Sequence, residues 1–291
     1  MDNSNNHLTS HSRDDAITFD QESHSYYVHG EKMSISVTGL VHQYFPSFNS
    51  DRIVKAMLNS KRFPLEPKHQ RYHTLPIWCK VNDNETANID AWEPGAVLRN
   101  QKDAEKIIKE SWSKGNTKAS TEGTDLHQEI EDYIKLGQLP NEMSVEFQYF
   151  LDYHQQMLER GYKPYQSEQM VYDVSLQLAG CVDMMYTRDG KIYLTDWKRS
   201  KEILWDKTFR GKTETGMGPM SNYPNCNGIH YSLQLNIYRE LLERYYGVEV
   251  SEMSIVVFHP TNQKYLEYPI QDLRKEVNEI FELRRQKLQP K

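Results

Sequence analysis

The stretch Leu178-Ala-Gly-Cys-Val-Asp-Met-Met-Tyr-Thr-Arg-Asp-Gly-Lys-Ile-Tyr-Leu-Thr-Asp-Trp-Lys198 governs how the rest of the chain is read. Asp189-Gly190 stands between two β-prone runs, and a two-residue hairpin loop of this kind needs positive φ at both positions. With Asp189 and Gly190 as the loop, the numbers of cross-strand partners sum to 379, so Asp183 falls opposite Asp196. Directly opposite residues share a face of the sheet, with Cβ atoms about 4.5–5.5 Å apart. Lys198, two residues beyond Asp196, joins that face. Two facing carboxylates repel. A divalent cation that favours hard oxygen ligands, Mg²⁺ or Mn²⁺, would offset the repulsion. Two exposed acids on a solvated face, with Lys198 as their ion-pair partner, account for the same pattern.

Around this hairpin the sequence predicts helices near 101–114, 117–136 and 142–160, then strand-like runs at Tyr165–Tyr172, Leu176–Thr187 and Lys191–Lys198. A loop at Gly211–Gly228 leads to a helix over 229–246, a strand at Met253–His259 and a charged helix over 272–288. Upstream, Ile17–Val28 reads as a hairpin, and Ser34-Ile-Ser-Val-Thr38 begins a helical stretch. Asp51 is the expected N-cap of a short helix ending at Leu58. Residues 59–95, with four prolines and no clear period, read as an irregular insertion rather than a domain. The expected organisation is therefore a disordered tail over 1–15, a helical and irregular region over 16–115 packed on the core, and an α/β (α+β) core over 116–291.

Several further residues lie in register with the hairpin chemistry. Gly123-Thr124-x-x-His127 sits on a predicted helix, with Glu131 one turn beyond His127, and Glu168 sits on the strand before the hairpin. Gln234 and Tyr238, four apart, share a helix face. Each has an ordinary structural explanation alone. Together, Gly123-Thr124-x-x-His127, Glu168, Gly180-x-x-Asp183, Asp196-Trp197-Lys198 and Gln234-x-x-x-Tyr238 resemble the PD-(D/E)XK nuclease superfamily, in particular its RecB-like exonuclease branch. The Ser-Val-Thr of Ser36–Thr38 is similar to a segment of stand-alone members such as the mitochondrial genome maintenance exonucleases. The proline that gives the superfamily its name is Val182 here.

The resemblance implies a restriction-endonuclease-like core, a central mixed sheet flanked by helices, and hydrolysis of DNA phosphodiester bonds. It implies that His127, Asp183, Asp196, the Trp197 carbonyl and Glu168 serve a Mg²⁺ or Mn²⁺ site, with Asp183, Asp196, Lys198 and Gln234 as the catalytic set. A single-stranded DNA exonuclease of replication, repair or recombination is the implied activity. A structure-specific, flap-type endonuclease and a catalytically silent DNA-binding subunit are the alternatives. A separate helicase, polymerase or single-strand-binding protein is the implied partner. Branches of the superfamily that carry an iron–sulfur cluster use four cysteines; this chain has Cys79, Cys181 and Cys226, so no such cluster is expected.

The 291 residues carry 35 Lys and Arg against 41 Asp and Glu, a formal net charge of −6, which excludes a general nucleic-acid coat. The distribution is uneven. Residues 191–212 hold seven basic and three acidic side chains, whereas 121–160 hold two basic and nine acidic. A positive stretch directly after the Asp196-bearing strand suits a nucleic-acid backbone, with Lys198, Arg199, Lys201, Arg210 and Lys212 as phosphate contacts and Trp205 either stacking on bases or packing in the loop, while the resemblance implies that Tyr238 packs its helix or contacts the strand. Met1–Asp15 lacks an apolar signal core and no apolar run reaches membrane-spanning length, so an intracellular protein with no membrane partner is expected.

Overall fold

The computed structural model describes residues 10–82, 85–206, 208–209 and 212–289. In chain order its strands and helices are β1 (Ile17–Asp20), β2 (Ser25–Val28), β3 (Glu31–Lys32), β4 (Ile35–Ser36), α1 (Val37–His42), α2 (Ser50–Leu58), β5 (Trp78–Asn82), β6 (Glu85–Ile89), β7 (Val97–Leu98) and α3 (Gln101–Leu136). There follow α4 (Val145–Glu159), β8 (Lys163–Asp173), β9 (Leu178–Arg188), β10 (Lys191–Lys198), β11 (Thr208–Phe209), β12 (Lys212–Thr213), α5 (Asn227–Tyr245), β13 (Val250–Val257), β14 (Leu266–Pro269) and α6 (Arg274–Leu288). The chain divides into two compact units, one made of 1–46 with 123–291 and the other of 47–122.

The first unit is built on a six-stranded mixed sheet. Strand β8 pairs antiparallel along β9, β10 pairs antiparallel with the end of β9, and β13 runs parallel to β10 with β14 at its far edge. Because β8 occupies one edge of β9 throughout, the short β4 joins the other edge at Leu178 and Ala179, beyond the reach of β10. The β9–β10 turn has φ +54° at Asp189 and +76° at Gly190, as an Asp-Gly loop demands. Its register runs from Lys191↔Arg188 to Thr195↔Met184, each pair summing to 379.

Both faces of the sheet are covered, so β9 and β10 are buried at nearly every position rather than at alternate ones. On one face Ile192, Leu194, Ile255 and Val257 meet α1, α5 and α6 through Val37, Leu233, Ile237, Val277 and Phe281. On the other, Tyr186, Tyr193, Trp197 and Phe258 meet the end of α3 and α4 through Ile130, Phe147, Phe150 and Met157. Helix α5 is buried nearly all round, including polar Ser232 and Asn236. Their side chains are satisfied: Ser232 Oγ donates to Gly228 O, and Asn236 bridges Ser232 O, Gln271 O and the Leu273 amide. The central mixed sheet flanked by helices is the α/β architecture the sequence predicts.

Five details differ from the sequence reading. The helices expected at 101–114 and 117–136 are one helix, α3, because a lone Gly115 costs only about 1 kcal/mol. Buried apolar side chains hold it at both ends: Ala104 and Ile108 in one unit, Leu126, Ile130 and Ile134 in the other. The N-cap of α2 is Asn49, whose side chain accepts from the Arg52 amide, not Asp51. The stretch read as an irregular insertion contributes β5 and β6 to a three-stranded sheet, β6-β5-β7, of the second unit, whose own core holds Val54, Tyr72, Ile77, Trp78, Ala104 and Ile108. Residues 17–46 belong to the sheet-bearing unit, through β4 and α1. Finally, part of the stretch read as a disordered tail is anchored: Arg13 donates to Tyr172 O at 2.8 Å and lies 3.8 Å over the Tyr172 ring.

Candidate active site

The β9–β10 ladder stops one step short of the two aspartates. The next amide along β10, Trp197 N, donates instead to Asp183 Oδ2 at 2.8 Å, so a side chain replaces the ladder carbonyl. Strand β8 is irregular at the same level. Its pairs with β9 sum to 351 from Gln166 onward, which sets Glu168 opposite Asp183, yet this pair drops out of the ladder and Glu168 adopts φ +50°. A left-handed conformation costs a non-glycine residue on the order of 1 kcal/mol or more, and such outliers concentrate at functional sites. Glu168, Asp183 and Asp196 thus stand in a row on three adjacent strands.

His127 reaches this row from α3. Its Nδ1 lies 3.7 Å from Glu168 Oε1 and 3.8 Å from Asp183 Oδ2, and its Nε2 lies 3.2 Å from Trp197 O. One ligand atom each from His127, Glu168 and Asp183 falls within 4.8 Å of the others, a spacing that could hold a metal ion. Asp196 lies beside them, 1% exposed, with Lys198 Nζ 2.5 Å from Oδ2. Among the described residues, neither carboxylate oxygen has a partner in hydrogen-bond geometry besides that ion contact. The Lys198 ammonium also lies 4.8 Å from the centroid of the Tyr231 ring.

Burial and mutual repulsion set the protonation of this cluster. Burial, with added repulsion from Asp183, raises Asp196 to about 6 even though Lys198 works against it. Asp183 is likewise raised by burial, opposed by His127 and Lys198. Burial disfavours charge on His127, but Asp183 and Glu168 overcome it and hold the imidazole at about 9. Lys198 follows the same logic: burial lowers it, while Asp196 and Asp183 more than compensate and keep it charged.

The remaining residues read from the sequence divide clearly. Gln234 donates its amide to Tyr238 Oη at 3.2 Å. Tyr238 is 3% exposed, which makes it a core residue and not a ring contact for a ligand. It explains Gly180: a Cβ there would lie 2.8 Å from Tyr238 Cε1 and 2.8 Å from Val37 Cγ2. Arg199 is held by Glu146 at 2.9 Å, so its charge is already matched. Lys201 and Trp205 are exposed, and Trp205 sits 6.1 Å from Tyr268. Arg210 and the side chain of Lys212 lie outside the described residues.

Three neighbours of the cluster were not read from the sequence. Cys181 Sγ donates to Glu168 Oε2 at 3.1 Å, and burial with this contact pushes its thiol up. Tyr26, from β2, is raised by burial and further by the charges of Cys181, Glu168 and Asp183. Tyr231 is the third. The 351 register would have exposed the Glu168–Asp183 pair; nothing in the sequence pointed to Tyr26.

No family model matches the sequence, and no curated protein matches it. Among solved structures, the crystal structure of SSO0001 is similar at 16% identity and a TM-score of 0.26, over 50% of this chain and 59% of that one. This chain therefore spans less than two thirds of that protein. A phage related exonuclease from Haemophilus somnus 129PT is similar at 13% identity and a TM-score of 0.27, over 56% of this chain and 77% of that one. Among the described residues, no helix is long and apolar enough to cross a membrane.

Proposed function

We propose that this protein is a metal-dependent deoxyribonuclease, acting as an exonuclease on single-stranded DNA in replication, repair or recombination. The observation that carries the reading is Asp196. This fully buried carboxylate, one strand from Asp183 and two from Glu168, has the Lys198 ammonium at Oδ2 and no partner at Oδ1, and a buried oxygen left so beside two further acids is costly unless a second cation completes the group. Three hard carboxylate donors and one imidazole suit Mg²⁺ or Mn²⁺. Asp183, Asp196, Glu168 and His127 would hold the ion, beside the Trp197 carbonyl. When bound, it supplies polarisation of a phosphodiester and a water of lowered pKa.

The protein's own groups supply the rest. Trp197 N fixes the Asp183 carboxylate at 2.8 Å, which limits its reorganisation. Lys198 stays charged in a buried, acid-rich place and restores the positive potential that an anionic substrate needs. Lys201 and Trp205, exposed just beyond β10, would meet a strand's phosphates and bases. Gln234, bonded to Tyr238, acts through the packing of α5 on β9.

Degradation of end-labelled linear and circular single-stranded DNA in Mg²⁺ or Mn²⁺ tests the reading. Wild type is expected to digest the linear strand and spare the circle, with Asp196→Asn and Lys198→Ala each reduced by at least about 10²-fold. Cleavage of the circle moves the assignment to an endonuclease. A wild-type protein that binds DNA and never cleaves it in either metal overturns the enzyme reading.

A further inference from the structure

The unit of residues 47–122 holds a feature that the catalytic cluster does not use. An open groove of about 570 Å³, within the ~300–1,000 Å³ typical of ligand sites, is lined by Phe48, Ile53, Arg71, Tyr72, Trp112 and Asn116, among others. Phe48 is 66% exposed, and its centroid lies 6.0 Å from that of Trp112 at an inclination of 64°. Buried Tyr72 braces the groove's polar side. Its hydroxyl oxygen accepts from Trp112 Nε1 at 2.9 Å and from Arg71 Nη2 at 2.6 Å. Trp112 and Arg71 are thus held in place by one buried post.

Among the described residues, Arg71 has no carboxylate within ion-pair distance, so its positive charge is left for an outside partner. The unit as a whole carries 13 Lys and Arg against 10 Asp and Glu, a net +3, whereas the rest of the chain carries 22 against 31, a net −9. An exposed ring beside an indole, with an unneutralised guanidinium fixed next to them, matches an unpaired base joined to a phosphate. Stacking accepts any base face, and the guanidinium answers the charge.

We propose that this groove is a second single-stranded DNA-binding site, in which a base stacks on Phe48 and Trp112 while Arg71 meets a backbone phosphate. The proposal extends the nuclease reading by giving the substrate strand a contact outside the carboxylate cluster, and it rests on that reading only for the identity of the strand.

The test uses the full chain carrying Asp183→Asn, in EDTA, with anisotropy of a fluorescently labelled oligothymidylate. Phe48→Ala is expected to weaken binding roughly 5- to 100-fold, and Phe48→Tyr to stay within about twofold. Arg71→Gln is expected to weaken binding and to make the salt dependence shallower by about one phosphate contact, a slope change of about 0.7. Because Phe48 is exposed, its loss leaves the fold intact, which a thermal melt of each variant checks. Unchanged affinity in folded Phe48→Ala, no binding by the parent, or equal competition by duplex DNA each overturns the proposal. Cleavage by the unmutated chain in Mn²⁺ is scored separately. Binding without cleavage sinks the nuclease reading and leaves the groove standing, and cleavage with unchanged Phe48→Ala affinity does the reverse.

Discussion

Replacing Gly180 by Ala places a methyl group where the structure has no room. The added carbon would sit 2.8 Å from Tyr238 Cε1, 2.8 Å from Val37 Cγ2 and 3.1 Å from Val37 Cβ, all below ordinary van der Waals contact. Neither wall yields easily, since Tyr238 is 3% and Val37 0% exposed. Overpacking a filled core costs about 1–3 kcal/mol. In a cooperative unit of about 150–250 residues, 1 kcal/mol corresponds to roughly 2–4 °C, so Gly180→Ala is expected to lower Tm by about 2–12 °C. The relief of strain also displaces β9 locally, and Asp183 lies three residues along that strand, held to Trp197 N at 2.8 Å. Loss of metal-dependent activity is therefore expected to exceed what the fraction unfolded explains. Calorimetry with a double-mutant cycle decides. Val37→Ala should cost less in the Gly180→Ala background than alone, by at least about 0.5 kcal/mol, because the new methyl fills the space vacated. A Tm within about 1 °C of wild type, or strictly additive effects, refutes the close-approach reasoning.

Other outcomes follow from particular contacts. His154, buried and bonded to Tyr186 Oη at 2.9 Å, is lowered by burial to about 4, so the folded state favours its neutral form. That contribution is complete above about 6.5 and is lost as pH falls to 4, about 3 kcal/mol in all; urea melts of His154→Gln should show a weaker decline over this window than wild type. Arg13→Ala removes the bond to Tyr172 O and the cation–π contact, and should lower the urea midpoint by the equivalent of about 1–2 kcal/mol without changing the slope. Ser36→Ala deletes the side-chain acceptor for the Gly39 amide at the start of α1 and should cost about 0.5–2 kcal/mol in the same assay. Thermal stability of wild type should rise with added Mn²⁺, by about 2.7 kcal/mol at 100 times Kd, and that rise should vanish in Asp183→Asn.

The sequence by itself determined the hairpin. Asp189-Gly190 admits essentially one loop geometry, so the register from Lys191 to Thr195 was legible before any coordinate. Turn chemistry and a period of two are local, and local rules can be read residue by residue. The same holds for α5, where spacing placed Gln234 and Tyr238 on one face. Tertiary structure alone decided what the ends of these elements touch. The ladder breaks at Asp183 because its carboxylate takes the Trp197 amide, and Glu168 joins the row because β8 turns into a left-handed conformation at that level. Arg199 was legible as a cation but not as the partner of Glu146, which lies 53 residues away. Tyr238, a candidate for contact with a strand, is buried against Gly180, and Tyr26 arrives from a distant hairpin. Contacts between residues far apart in sequence depend on how sheet and helices stack, and no local pattern encodes that. The chain's own order of residues thus fixed which carboxylates could meet across the hairpin, while the packing of three layers fixed which of them is buried against a lysine.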